Sequence, residues 1–471
     1  MRFFGPAFRL TVFLVVASPL TALPLNTVWR RLEAASPADT KPAPTKSAKF
    51  VPNYDESKIP EFTLPDPLID ANGERIDTRN DWESRRRETL LKFEHHVFGS
   101  MPTQRRIHTE IVRRDPTWNH GKTTRYELTV TLLPLSESNE QPDTNQPGLD
   151  LMVLIDVPSS ASADNPVPAF LGLNFQGNHT VTDDPLVRIS PSWVRDRRDA
   201  TSRGNTPLDA GRGVASDRWP LSMINDRGYA VATLYYGDID PDFDDGFQNG
   251  VHGLFADWIE RLPADIRPGS IAGWTYGLQC VLDAIVQTPA LGIDADQVAV
   301  IGHSRLGKTS LWAGAVDPRF AVIISNNSGC GGVALSRRAI GETVGRINTS
   351  FPHWFCDRFN DYNENENALP VDSHQLIALA APRPVAIGSA TEDTWADPKG
   401  EFLAGVHASP VYQLFDKPGL VDANGQSPTL MPAPNEAYPD GTITYHLRDG
   451  KHDLTEHDWK RYLDLFDRVR D

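Results

Sequence analysis

The chain has 471 residues, 39% of them hydrophobic, with 11 Trp and 20 Phe, which is ample material for one large core or two smaller ones. A formal net charge of -16 argues against nucleic acid as a partner and is compatible with a soluble exported protein. In chain order, Met1 to Ala22 reads as a signal peptide: Arg2 and Arg9 supply positive charge, and the apolar run Leu10 to Ala17 is too short to span a bilayer. The mature chain is therefore expected to be secreted or periplasmic, without a membrane span. Residues 23 to 59 turn to Pro, Ala, Thr, Lys and Ser with no apolar periodicity, as in a linker or wrapping arm. A single folded domain is expected from residue 60 to residue 471.

Within that domain, Thr78 to Phe98 carries Trp82, Leu90, Leu91, Phe93 and Val97 in a helical rhythm and stops at Gly99 and Pro102. Strands are predicted over Ile107 to Arg113, Arg125 to Leu133, Leu151 to Val157 and Ala169 to Phe175. The last opens into the polar loop Asn174 to His179, which is either a plain turn or the place where an α/β-hydrolase keeps one oxyanion-hole amide. The next strand, Tyr229 to Tyr235, leads into Gly237-Asp238-Ile239-Asp240-Pro241-Asp242; its spacing matches no EF-hand, so a solvated loop is expected. A helix over Ile271 to Val286 and strands at Ala321 to Ser325, Pro384 to Ser389 and Thr442 to Leu447 follow. The alternation predicts an α/β fold, a three-layer sandwich with a mainly parallel central sheet of the α/β-hydrolase type.

The most informative stretch is Gln297 to Asp317. The β-branched run Val298, Val300, Ile301 passes through Gly302-His303-Ser304-Arg305-Leu306-Gly307 into an Ala, Leu and Trp-rich segment with helical spacing. Strand, tight turn and helix are the setting of a nucleophile elbow, where a Ser hydroxyl stands clear of the sheet and the first helix amides face a developing oxyanion. Ser304 is the candidate nucleophile, although the second Gly falls one place later than in G-x-S-x-G. The same letters also fit G-x-x-x-x-G-K-[ST], a phosphate-cradling loop. Against that reading, the strand lies far down the chain and no acidic Walker B strand end is evident.

A Ser nucleophile needs a base and an orienting carboxylate, in this fold class in the order Ser, acid, His. His452, directly after the last predicted strand, is the best placed of 13 His, while His446 lies within that strand and reads as structural. Asp393 follows the strand Pro384 to Ser389, at the carboxyl edge of the sheet where catalytic loops gather. Arg305 and Lys308, three apart on a helix, bring two cations and a helix N-terminus to one site in an acidic protein. Such a pocket suits a substrate whose acyl oxygen becomes negative. Of the three Cys, Cys330 and Cys356 are the expected bridge and Cys280 a buried thiol, with three reduced thiols as the alternative.

These motifs, together with Val97 to Pro102, Ser328-Gly329-Cys330-Gly331-Gly332 with Ser336-Arg337-Arg338 and Gly341-Glu342 behind it, Glu392 to Phe402, and Gly450 to Leu454, resemble the glucuronoyl esterases of carbohydrate esterase family fifteen, the bacterial branch more than the fungal. The resemblance spans roughly residues 60 to 471. It implies cleavage of the ester between (4-O-methyl-)glucuronic acid on glucuronoxylan and lignin alcohols. The two-step serine mechanism needs no metal or organic cofactor, and a monomer is expected. The resemblance assigns Ser304 as nucleophile, His452 as base, Arg305 as oxyanion donor, and Lys308, Glu342 and Trp395, with Arg338, as substrate-binding residues. Asn327 stands where fungal members carry the acid, so that role is expected to pass to Asp393. Three other readings stay open: another carbohydrate or general carboxylesterase, a non-catalytic carbohydrate-binding relative, and the phosphate loop.

Overall fold

The run Val298 to Ile301 forms the middle of a ten-stranded sheet in the computed structural model, which describes residues 50–135, 147–197 and 201–470. In chain order the strands are β1 (Ile107–Asp115), β2 (Thr123–Leu132), β3 (Leu149–Pro158), β4 (Val167–Asn174), β5 (Ala230–Tyr235), β6 (Ile293–His303), β7 (Phe320–Asn326), β8 (Val385–Ala390), β9 (Ala437–Tyr438) and β10 (Ile443–Arg448). Their order across the sheet is β1-β2-β3-β5-β4-β6-β7-β8-β10-β9. The six strands from β5 to β10 in that order pair in parallel, while β1, β2 and β3 on one flank and β9 on the other are antiparallel.

Side-chain alternation divides the core between the two faces of this sheet. On β6, Val298 and Val300 join one cluster and Ala299 and Ile301 the other. The first face is covered by α2 (Ser270–Gln287), α3 (Arg305–Val316) and α4 (Pro398–Gln413), and the N-terminal helix α1 (Arg79–Phe93) packs into the same cluster through Trp82 and Phe93. The second face is covered by α5 (Glu456–Arg470), which buries Trp459, Tyr462, Leu463 and Phe466. Helix α1 begins where Thr78 accepts a hydrogen bond from the Asp81 amide, and it leaves through a wider turn over Glu94–Phe98. Most expected elements fall within two residues of those observed, but β6 begins at Ile293, ahead of the expected Val298 to Ile301 run, and α4 was not expected; the two-residue strand β9 is too short to carry a periodicity. Among the described residues no helix is long and apolar enough to cross a membrane.

Three expectations need correction or bounding. The folded unit runs from Val51, so residues 51 to 59 belong to it rather than to a linker: the Asn53 carbonyl accepts from the Gly341 amide, and Glu56 pairs with Arg338 and Lys399. The segment Gly237 to Asp242 is not a solvated loop, since Tyr236–Ile239 is a helical turn and Asp238, Asp240 and Asp242 are all buried. Cys330 and Cys356 form no bridge: all three cysteines are free and buried. The signal peptide and nearly all of the arm lie outside the described residues. His446 pairs with Asp458 inside the second cluster, as a structural histidine does.

Burial pushes all three thiols up, that of Cys356 to about 12, so they are poor nucleophiles for oxidation. Thermal unfolding should therefore give the same midpoint with and without dithiothreitol, and intact-mass measurement of the denatured protein should count one alkylated thiol per cysteine in the described domain.

Candidate active site

Local sterics at the β6–α3 junction lift Ser304 out of the sheet. Its backbone sits at φ 58°, ψ -129°, a region costly for a residue with a Cβ, and its amide donates to the Asn326 carbonyl at 2.9 Å. A Cβ on Gly302 would lie 1.9 Å from the Leu306 carbonyl oxygen, and one on Gly307 would lie 3.0 Å from the Ser328 side chain. Strand and helix therefore cross at Gly302 and Gly307, while the Leu306 side chain turns into the core. This accounts for the late second glycine in the motif. Helix geometry leaves the amides of Arg305 and Leu306, at the head of α3, without intrahelical acceptors.

Loops after β8 and β10 bring an acid and an imidazole to the same rim. His452 Nδ1 donates to Asp393 Oδ2 at 2.6 Å, and the Asn327 side-chain amide donates to that same oxygen at 2.8 Å. Asp393 is 5% exposed, whereas the His452 side chain is 41% exposed. The ring of His452 lies over that of His303, the residue before Ser304, with centroids 4.4 Å apart. His303 Nδ1 donates to Asn326 Oδ1 at 2.6 Å, and Asn326 in turn donates to Tyr462 at 2.9 Å. Burial, then the neighbouring His452, holds His303 well below the ordinary histidine range, so it is neutral beneath that ring.

Arg305 is held from the other side. Its Nε and Nη2 both reach Asp242 Oδ2 at 3.1 Å, and its guanidinium lies 5.1 Å from the ring centre of Phe175, 5.8 Å from Tyr236 and 5.2 Å from Trp354. Asp242 also accepts from Tyr236 at 2.8 Å, His353 at 3.0 Å and the Trp354 indole at 2.7 Å. Burial alone would raise this carboxyl, but the His353 hydrogen bond and the Arg305 charge outweigh it and hold it well below the usual carboxylate range. The result is a charged, pre-oriented guanidinium whose exposed edge borders the Ser304 turn.

Lys308 is 2% exposed, and its three N–H groups are spent on the carbonyls of Ser328 and Cys330 and on Glu342 Oε2 at 2.9 Å. It holds the Ser328 to Cys330 loop and Glu342 in place, and no donor remains for a phosphate, which removes the phosphate-loop reading. Glu342 also receives the Trp395 indole at 3.3 Å. Arg338 is placed differently from expectation: its guanidinium is buried and bonded to Asp397 at 2.7 Å and to Glu56, so it fixes the N-terminal segment instead of facing a substrate. Among the described residues no group of three or more His, Cys, Asp or Glu is arranged to hold a metal.

A family model of fungal glucuronyl esterases matches residues 231–416. A carbohydrate esterase from an unknown prokaryotic organism is 45% identical over 419 residues, 88% of this chain and 91% of that protein. The solved glucuronoyl esterase of Solibacter usitatus is 38% identical, superposes with a TM-score of 0.77, and covers 88% of this chain and 99% of its own. The 4-O-methyl-glucuronoyl methylesterase 1 of Wolfiporia cocos is 26% identical over 441 residues, 90% of this chain and 86% of that protein. The chain belongs to the glucuronoyl esterases of carbohydrate esterase family 15.

Two residues of this glucuronoyl esterase escaped the sequence reading. Asp242 was hidden because an acid-rich loop looks solvated; only the flanking Tyr235, Tyr236 and Pro241 hinted at burial. Glu401, on α4, is fully buried, with Oε1 accepting from the amides of Ser328 and Gly329 at 2.7 and 3.0 Å and Oε2 from Ser389 at 2.6 Å. It pins the loop whose preceding residue, Asn327, donates to Asp393. Glu401 lies inside the Glu392 to Phe402 motif, but nothing there singles it out beyond a Glu on a largely apolar helix.

Burial, opposed by the Ser389 hydrogen bond and aided by the charge of Asp393, raises Glu401 from 4.5 to about 8. The folded protein thus keeps a proton that the unfolded chain releases, so the contribution of Glu401 to stability falls as pH rises from about 4.5 to about 8 and is flat above that. Glu401→Gln should lose this term: relative to the parent, its denaturant midpoint should improve steadily across that window, as chemical unfolding at several pH values would measure.

Proposed function

We propose that this chain is a serine esterase that cleaves the ester joining (4-O-methyl-)glucuronic acid of glucuronoxylan to lignin alcohols, through an acyl-enzyme and a Ser304-His452-Asp393 triad. The observation that carries the reading is the pairing of His452 Nδ1 with Asp393 beside a strained Ser304 turn that an anchored Arg305 flanks. Because Nδ1 carries the proton given to Asp393, the other nitrogen, Nε2, is the basic one. The substrate class is supported by relatives such as the 4-O-methyl-glucuronoyl methylesterase of Wolfiporia cocos.

In the first step Ser304 Oγ bonds to the uronoyl carbonyl carbon as its proton passes to His452 Nε2. The carbonyl electron pair moves onto oxygen and is held by the Arg305 guanidinium and the helix-head amides. The C–O bond to the alcohol breaks, and the alcohol leaves with the proton from His452. Water then repeats the sequence on the acyl-enzyme, releasing a uronate carboxylate and restoring Ser304. Asp393 keeps the imidazole oriented and stabilises its charged form. Asn327 gives that carboxylate a second donor without adding a second negative charge next to the same histidine. Glu342 and Trp395 form the wall for the sugar: one offers acceptor oxygens to hydroxyls, the other an aromatic face. The enzyme acts as an exported monomer, secreted or periplasmic, without a cofactor.

The purified enzyme should hydrolyse benzyl glucuronate with a kcat/KM well above that for p-nitrophenyl acetate; a general carboxylesterase would reverse the order. Ser304→Ala should abolish turnover, and Asp393→Asn should lower kcat by about 10⁴. Asp242→Asn leaves the Arg305 guanidinium without its charged anchor and should lower kcat by about 10² with a smaller change in KM, as steady-state kinetics would show.

A further inference from the structure

His452 is carried by residues 449 to 455, which form neither helix nor strand. As a base it must keep Nδ1 on Asp393 while Nε2 is held for the proton of Ser304, and its side chain is 41% exposed. A loop without a ladder of its own takes its shape from the partners that its backbone groups find. Two residues outside the triad supply those partners.

Arg448, the last residue of β10, turns its buried guanidinium back into the loop. Nη1 donates to the Asp449 carbonyl at 3.1 Å, and Nη2 donates to the carbonyls of Lys451 at 2.7 Å and Asp453 at 3.1 Å, the two residues that flank His452. Nε donates to Asp458 Oδ2 at 3.1 Å, so the charge is balanced and the fork is oriented from the first turn of α5. The chain wraps this closely because residue 450 is glycine: its φ is 115°, and a Cβ there would lie 3.0 Å from Arg448 Nη1.

Thr391, the first residue after β8, ties the same loop to the acid. Its hydroxyl donates to Asp449 Oδ1 at 2.8 Å and accepts from the Gly450 amide at 3.0 Å. Its amide donates to the Arg448 carbonyl at 2.9 Å, and the Glu392 amide donates to the Gly450 carbonyl at 2.8 Å. These bonds carry the parallel pairing of β8 with β10, in which Ala390 faces Arg448, beyond the ends of both strands. The chain two residues before Asp393 is thereby fastened to the chain two residues before His452.

Building on the triad proposed above, we infer that Thr391 and Arg448 are positioning residues that clamp the His452 loop to the Asp393 loop. They hold Nε2 where it serves both as base toward Ser304 and as acid toward the leaving alcohol. Neither carries a proton in the reaction. Their contribution is geometric, and a misplacement of about 1 Å at such a site costs about 10² in rate.

An alcohol that leaves poorly needs its proton from His452, whereas 4-nitrophenolate leaves without one. A displaced imidazole therefore costs more on the benzyl ester of glucuronic acid than on its 4-nitrophenyl ester. A smaller folded fraction lowers kcat/KM on both by the same factor. Thr391→Val removes the hydroxyl and keeps the branched shape; it should lower kcat/KM about tenfold on the benzyl ester and clearly less on the 4-nitrophenyl ester, and Thr391→Ser should restore most of the loss. Arg448→Lys, which keeps the charge but not the fork, should move the ratio in the same direction. A benzyl to 4-nitrophenyl ratio equal to the parent's in Thr391→Val, or in folded Arg448→Lys, would overturn the clamp and leave the esterase reading intact. A parent that hydrolyses neither ester, or a Ser304→Ala variant that keeps turnover, would remove the triad and the clamp with it.

Discussion

The crossing of β6 and α3 at Gly302 and Gly307 is the constraint from which the site follows. With backbone in contact at those two points, the chain has no room for a relaxed turn, and Ser304 is driven into a conformation that only a well-packed surrounding can sustain. The same crossing fixes the first turn of α3, and therefore where Arg305 and Lys308 leave it. Each cation then meets a carboxylate on a different side of the junction: Arg305 finds Asp242 after β5, and Lys308 finds Glu342 after β7. One close approach thus sets a hydroxyl, a guanidinium and an ammonium in fixed relation before any substrate arrives.

Electrostatics around the proposed triad rest on keeping a single negative charge where two or three could sit. Asp393 and Glu401 are close enough for the charge of one to act on the other, and Asn327 occupies the place where a further acid would crowd them. Glu401 meets this by holding its proton in a fully buried site, acting on the loop through hydrogen bonds instead of charge. His303 does the same for the bases, since a neutral ring beside His452 permits a close, tilted ring contact that two imidazoliums would not.

The parallel strands were legible because Val298 to Ile301 and Ile323 to Ser325 are buried on both faces, which writes a continuous apolar run into the chain. Ser304, Asp393 and His452 were legible for a related reason: each follows a strand whose end the sequence marks. What composition could not show was burial created by distant partners. Asp242 sits among acids in sequence but among Arg305, His353 and Trp354 in space, the last two more than a hundred residues away. Arg338 misled in the opposite sense, because its motif is silent about Glu56, which arrives from a segment that looks like tether. The cysteine pairing failed because nearness along the chain is not nearness of sulfur atoms.

That tether-like segment has an implication for how the protein loses function over time. Glu56 bridges Arg338 and Lys399, and Asn53 rests on Gly341, the residue before Glu342. A protease that nicked the chain just before the first long helix would leave Ser304, His452 and Asp393 in place, yet it would unclamp the turn that carries Glu342. Trimming at the amino terminus would then age the enzyme by loosening the turn before Glu342 while Ser304, His452 and Asp393 kept their places.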